Sequence, residues 1–190
     1  MSSAWRVGRG RSATSTTAKF RTWNSKQRIG QLPPPPPHHP RFHVRLRHCF
    51  SVHWLSQVPR EAVDKGSAAY NRGKVFVHGA SEATGAAYRR QFQSDLSRFL
   101  RRRAAELKLG GVMFLLCLGR PAADPTDQGR VKLLYGTPFE DSWADLVREG
   151  LMESGRMDNF NVPLYAPTLD EVREAVAAAG AFRINRLARW

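Results

Sequence analysis

The run Val112–Gly119 (VMFLLCLG) constrains this chain more than any other stretch. It holds no charge and no polar break, and it follows at once on an amphipathic segment closed by Gly110-Gly111. A continuous apolar run after an amphipathic helix is the pattern of a strand buried on both faces, and so of a parallel sheet with helices packed over it. The preceding segment, from about Ser81 to Lys108, sets Tyr88, Phe92, Leu96, Phe99, Leu100 and Leu107 at helical spacings. Arg89, Arg90, Gln93, Arg98, Arg101 and Arg102 lie mostly on the opposite face, which predicts a long helix with a solvated basic side.

The rest of the ordered chain fits the same class. Alternation over Val44–Val52 predicts a strand, and Val75–Val77 is a short apolar run after Asn71-Arg72-Gly73. Thr137-Pro138-Phe139-Glu140 offers an N-cap, a proline at the first helical position and a capping-box acid, ahead of an apolar face of Trp143, Leu146, Val147 and Leu151. Thr168-Leu169-Asp170-Glu171 offers a second capping box, with Val172, Ala175, Val176 and Ala179 inward and Gly180 closing the helix. Phe182 and Ile184 begin a last strand. The order strand, long helix, buried strand, helix, helix, strand is part of a doubly wound α/β sheet. Three strands alone leave sheet edges uncovered, so the pattern implies a covering partner chain or a larger domain.

Charge divides sharply along the sequence. The formal net charge is +14, yet residues 1–47 hold ten Lys or Arg and no acid, while the remainder holds 20 basic against 16 acidic side chains. Basicity confined to a tail, with no aromatic stacking pattern beside it, argues against a nucleic-acid binder. Residues 1–42 read as a disordered basic leader with the proline run Pro33–Pro37, and residues 43–190 as the folded domain. An acid-free stretch rich in Arg, Ser and Thr also fits an organellar transit peptide, a nucleic-acid arm or a misassigned exon. No apolar run approaches the roughly 18–20 residues that cross a bilayer. The two cysteines, Cys49 and Cys117, lack metal-ligand spacing and suit a reduced cytoplasmic setting.

His48–Pro59 (HCFSVHWLSQVP) is the stretch that points to chemistry. An alternating run reaches His53-Trp54 and is stopped by Pro59, which is how a strand delivers side chains to the mouth of a pocket. An imidazole and an indole N–H side by side can hold a small polar ligand. This stretch is followed by Asn71-Arg72-Gly73-Lys74, by the helix segment Tyr88–Leu96 and by Asp158–Pro167 (DNFNVPLYAP). With these four motifs in order, the chain from about Cys49 onward resembles the plant SABATH methyltransferases.

That resemblance implies a partial Rossmann-like class I methyltransferase sheet with flanking helices. It implies transfer of a methyl group from S-adenosylmethionine to the carboxylate of a small plant acid of the jasmonate, salicylate, benzoate or anthranilate type. A sister branch methylates xanthine nitrogens. His53 and Trp54 stand at the family's substrate-pocket pair, and Phe50 stands where many members carry a pocket tyrosine. Asn71, Asp158, Phe160 (by its carbonyl) and Asn161 match positions that ligate Mg²⁺ in some members; all offer hard oxygen donors. Tyr135, Phe139, Trp143 and Met157 are candidates for the apolar lining. No catalytic base is assigned, because a carboxylic acid with a pKa of about 4 is already ionised at neutral pH. The Gly-rich turn and ribose-binding acid of the first cofactor-binding strands are not recognised in the chain, and no cofactor-binding residue is assigned. The expectation is therefore an acceptor side without a seat for the methyl donor. The alternative is a non-catalytic fragment or partner, associating as a homo- or heterodimer with a full-length member.

Overall fold

The computed structural model describes residues 15–22 and 44–189. Four strands, β1 (Ser15–Thr22), β2 (Val44–Cys49), β3 (Leu107–Leu118) and β4 (Phe182–Arg189), form one sheet in the order β2-β3-β1-β4. Among the described residues five α-helices accompany it: α1 (Arg60–Val63), α2 (Glu82–Glu106), α3 (Lys132–Tyr135), α4 (Thr137–Arg148) and α5 (Leu169–Ala179). β2 and β3 run parallel, as the apolar run predicts for strands joined by a helical crossover. β1 runs antiparallel to both β3 and β4, so the sheet is mixed.

β1 corrects the reading of residues 1–42 as a disordered leader: Ser15–Thr22 is a strand inside the sheet. The rest of that leader lies outside the described residues. The eight residues contain no Pro or Gly and include three threonines and a phenylalanine, types that suit a strand. The arginines and prolines around them dominate the composition and mask so short a window. Seven positions of β1 pair with β3 and seven with β4.

The helix stripe is realised closely. Tyr88, Phe92, Leu96 and Leu100, each one turn apart, are buried in α2 against Met113 and Leu115 of β3 and Val172, Ala175 and Val176 of α5. Ser81 caps α2 by accepting the Thr84 N–H at 3.1 Å, and Ser97 Oγ ties the helix to the Ala175 carbonyl at 3.2 Å. Gly110-Gly111, expected to stop the helix, instead sit within β3. Gly110 has φ of 78° at the point where the β2–β3 register shifts, so the pair makes a bulge rather than a cap. Only one face of β3 is fully buried, by Met113, Leu115 and Cys117; Val112, Phe114, Leu116 and Leu118 on the other face are half-covered.

The two expected capping boxes part company. At Thr168 both reciprocal bonds form, and Gly180 closes α5 in the left-handed region with φ of 66°. At Thr137 the box does not form, because Gly136 is the residue flanking α4 and Glu140 turns away to accept the Val75 N–H at 3.2 Å. β2 ends at Cys49, so Phe50–Trp54 continue as irregular chain rather than strand.

Candidate functional site

His53, buried to 8 % exposure, is fixed by two hydrogen bonds: Nδ1 accepts the Leu118 N–H at 3.3 Å, and its carbonyl accepts the Tyr165 N–H at 2.9 Å. Burial holds its pKa below the ordinary histidine value. The neutral ring, accepting through Nδ1, therefore carries its proton on Nε2 and presents that nitrogen as a donor. Trp54 lies beside it, the ring centroids 6.1 Å apart. The indole is 43 % exposed and meets Tyr135 edge-on at 5.5 Å. Phe50 is exposed and meets Phe114 edge-on, the ring centroids 6.3 Å apart.

The main chain of this pair is held from two sides. On one side, Leu55 N–H donates to the Pro163 carbonyl at 2.8 Å, and Trp54 makes an isolated antiparallel bridge with Leu164. Residues 163–166 thus act as a strap laid along residues 53–55. On the other side, Asp95 of α2 accepts the Ser56 N–H at 2.9 Å and the Ser56 hydroxyl at 2.8 Å. Gln91 and Arg98, one turn away on either side, also donate to Asp95. Between this segment and α2 lies a cavity of about 640 Å³, bordered by Cys49, Val52, Trp54, Ser56, Asp95 and Arg102. Trp54 reaches that cavity; His53 and Phe50 do not line it.

The four residues matched to magnesium ligands come to one neighbourhood. Asn71 Nδ2 donates to Asn161 Oδ1 at 2.7 Å and to the Phe76 carbonyl at 3.3 Å. Asp158 Oδ1 accepts the Gly73 N–H at 2.7 Å, two residues beyond Asn71. Phe160 stacks its ring on Trp143 at 5.8 Å. Asn161 Nδ2 is buried without a hydrogen-bond partner. The set fits magnesium in donor type: two amides, one carboxylate with a second oxygen, and a main-chain carbonyl. Among the described residues there is no group of three or more His, Cys, Asp or Glu suited to a metal. Val162 N–H donates to the Val75 carbonyl at 2.7 Å, so one continuous segment, residues 158–166, runs from this cluster to the His53–Trp54 wall.

Three buried polar residues lie beneath that segment, and of these a reading of local motifs finds only Glu171, as a capping-box acid. Arg120, Gln128 and Glu171 are 2 %, 0 % and 3 % exposed, and all bond to the strap or its flanks. The local signals are an arginine placed directly after the apolar run and an acid at the third position of a helix; Gln128 has none. Of the expected apolar lining, Tyr135 contacts Trp54, Trp143 contacts Phe160, Met157 packs partly against the core, and Phe139 is 44 % exposed. No described helix is long and apolar enough to cross a membrane.

Comparison with known proteins shows the family. A family model described as SAM dependent carboxyl methyltransferase matches residues 39–190. Indole-3-acetate O-methyltransferase 1 of Arabidopsis thaliana is 61 % identical over 138 residues, covering 73 % of this chain and 36 % of that protein. Its namesake from Oryza sativa subsp. japonica is 62 % identical over 138 residues, covering 73 % of this chain and 34 % of that protein. A solved structure titled loganic acid methyltransferase with SAH is similar at a TM-score of 0.72 and 33 % identity, over 78 % of this chain and 42 % of that one. This chain therefore spans about a third of the length of these curated relatives. With the family model spanning residues 39–190 and the matched structure sharing its fold, the chain belongs to the SAM-dependent carboxyl methyltransferase family.

Proposed function

We propose that this chain carries the acceptor wall of a carboxyl methyltransferase, and that the acceptor is a small aromatic acid of the indole-3-acetate type. The observation that carries this reading is the His53–Trp54 pair: a neutral imidazole with its proton on Nε2, beside a half-exposed indole, both held by the 163–166 strap. The choice of acid is supported by relatives named for indole-3-acetate at 61–62 % identity, against 33 % for the loganic acid relative. That acid is not among the four named by the family pattern, although it shares their carboxylate.

Little acid–base chemistry is required of the protein. The acceptor carboxylate is ionised at neutral pH and is already the nucleophile. Trp54 donates its indole N–H to one carboxylate oxygen and His53 Nε2–H fixes the other, which orients a lone pair; such positioning is the main source of rate in a direct transfer. Tyr135, edge-on to Trp54, adds an aromatic side to the wall. S-adenosylmethionine supplies a sulfonium methyl group in this family. Among the described residues no glycine-rich turn joins a strand to a helix N-terminus, so no residue here is assigned to hold it.

We also propose that Asn71, Asp158, Phe160 and Asn161 hold Mg²⁺, which ties the 71–73 turn to the 158–161 segment and serves position rather than methyl transfer. Adding Mg²⁺ is expected to raise the melting temperature, and Asp158→Asn to remove that response; an unaltered response in the variant refutes the assignment.

Titration calorimetry tests the main reading. Indole-3-acetate is expected to bind the wild-type chain, with affinity falling tenfold or more in Trp54→Phe, which keeps a ring and loses the N–H. Equal binding by the variant refutes the role of Trp54. S-adenosylmethionine alone is expected to give no saturable heat, and micromolar binding would show that the donor seat lies within this chain.

A further inference from the structure

We propose that the buried Arg120–Glu171 pair is a positioning device for the acceptor wall, holding the strap in the register at which it grips His53, Trp54 and Leu55. This rests on the reading of His53 and Trp54 as the groups that hold the acceptor.

The pair is enclosed: the side chains are 0 % and 4 % exposed. Two parallel bonds join them, Arg120 Nη2 to Glu171 Oε1 at 2.7 Å and Nη1 to Oε2 at 3.0 Å. The other three guanidinium protons also find oxygens. Nη1 donates to the Ala166 carbonyl at 2.5 Å, Nε to the Asp124 carbonyl at 3.1 Å and Nη2 to the Ala123 carbonyl at 3.3 Å. All five donors of a planar, rigid fork are thereby used, which fixes the direction of every partner. Glu171 is equally occupied, accepting the Tyr165 hydroxyl at 2.8 Å and the Thr168 N–H at 2.9 Å. The guanidinium lies 4.8 Å over the Tyr165 ring, and the Arg120 N–H donates to the Pro167 carbonyl at 3.1 Å.

Apart from the two to the Ala123 and Asp124 carbonyls, these bonds converge on residues 165–168, the C-terminal end of the strap and the two residues after it. Its near end grips the site: Tyr165 N–H to the His53 carbonyl, Leu55 N–H to the Pro163 carbonyl, and the Trp54–Leu164 bridge between them. Two hydrogen bonds around an isolated bridge do not make a self-sustaining ladder, and Pro163 and Pro167 each lack an N–H to extend it. The strap's register must be supplied from elsewhere, and the fork beneath it supplies it together with Gln128 Oε1, which accepts the Ala166 N–H at 2.8 Å. An apolar pair of equal volume could fill this space at similar or greater stability. It could not hold the Ala166 carbonyl and the Tyr165 hydroxyl, which is the distinction the test uses.

The experiment measures amide hydrogen exchange across the full-length chain together with indole-3-acetate binding. In Glu171→Gln, exchange at Leu55 and Tyr165 is expected to speed tenfold or more while Leu96 and Leu100 of α2 keep their protection, and acceptor affinity falls in parallel. Tyr165→Phe, which loses one bond to Glu171, gives a smaller change of the same pattern and serves if Glu171→Gln does not fold. The double variant Arg120→Met/Glu171→Leu is expected to regain the thermal stability of wild type and keep the fast exchange at Leu55. Slow exchange at Leu55 in the double variant overturns the proposal, as does acceleration spread evenly over α2. If the wild-type chain does not take up indole-3-acetate, the functional reading fails, and the exchange pattern still decides whether the pair sets the strap.

Discussion

Replacing Asp95 with alanine severs the acceptor wall from α2 on the side away from the strap. Its carboxylate accepts four bonds: the Ser56 N–H at 2.9 Å, the Ser56 hydroxyl at 2.8 Å, Gln91 Nε2 at 3.1 Å and Arg98 Nη2. The two to Ser56 join residues 39 apart and count as tertiary contacts, each about 1 kcal/mol net. Those to Gln91 and Arg98 lie within one helix and add about 0.3–0.5 kcal/mol each. Asp95→Ala is thus expected to cost about 2–3 kcal/mol, and Asp95→Asn, which keeps one acceptor oxygen, roughly half. In a chain of this size that lowers Tm by roughly 5–10 °C. Urea denaturation at pH 7 measures the loss directly. The pH dependence adds a signature. Burial works to raise the Asp95 pKa, and the bonds from Ser56, Gln91 and Arg98 outweigh it, leaving the carboxyl below its ordinary value near 3.8. A depressed carboxyl stabilises the fold above its ordinary pKa and loses that contribution as pH falls through the folded-state value. The gap between wild type and Asp95→Ala should therefore persist from pH 7 to 5 and close below about pH 4. A difference under about 0.5 kcal/mol at pH 7 refutes the clamp.

Histidine titration sets the opposite flank of the pH curve. His53 is lowered by burial; His78 is lowered by burial first and then by Lys132, against Asp127. Both favour the neutral form when folded, so stability is complete above the ordinary value of 6.5 and declines as pH falls below it. Urea midpoints should drop between pH 7.5 and 5.5, and His53→Asn, which keeps an acceptor for the Leu118 N–H, should flatten part of that drop; an unchanged slope counts against His53. Gly85 lies inside α2, where alanine ordinarily gains up to about 1 kcal/mol. A Cβ there would stand 2.7 Å from Thr126 Cγ2 and 3.2 Å from Pro125 Cγ. Gly85→Ala is expected to lower the melting temperature, and adding Thr126→Ser, which removes that methyl, to recover it; a stabilised single variant refutes the crowding.

Local patterns carried most of the fold. The Tyr88, Phe92, Leu96, Leu100 stripe and the Thr168–Glu171 box each lie within a few turns of chain, and both form as their residues predict. Misreadings arose where a distant group made a better offer. Glu140 forsakes the box at Thr137 because the Val75 N–H needs an acceptor, and Gly110-Gly111 bulge a strand because β2 and β3 differ in length between paired positions. For the site, His53 and Trp54 are neighbours in sequence, and their motif is visible without a structure. The strap that grips them comes from residues more than 100 positions later, and its anchor from Arg120 and Glu171, 51 residues apart. Nothing local joins Arg120 to Glu171 or separates such a buried pair from an exposed one such as Arg173–Asp170.

The position of β1 sets the order in which this chain can finish folding. Among the described elements Ser15–Thr22 comes earliest in the chain, yet its two neighbours are residues 112–118 and 182–189. During synthesis this strand waits, its main chain unpaired, while some 90 further residues appear before its first partner and some 160 before its second. Sheet closure is therefore a highly non-local event, the kind of step that slows folding and exposes a strand to other chains meanwhile. Among the described elements the earliest in the chain pairs with the latest, and the vulnerability this creates belongs to the time of folding rather than to the finished molecule.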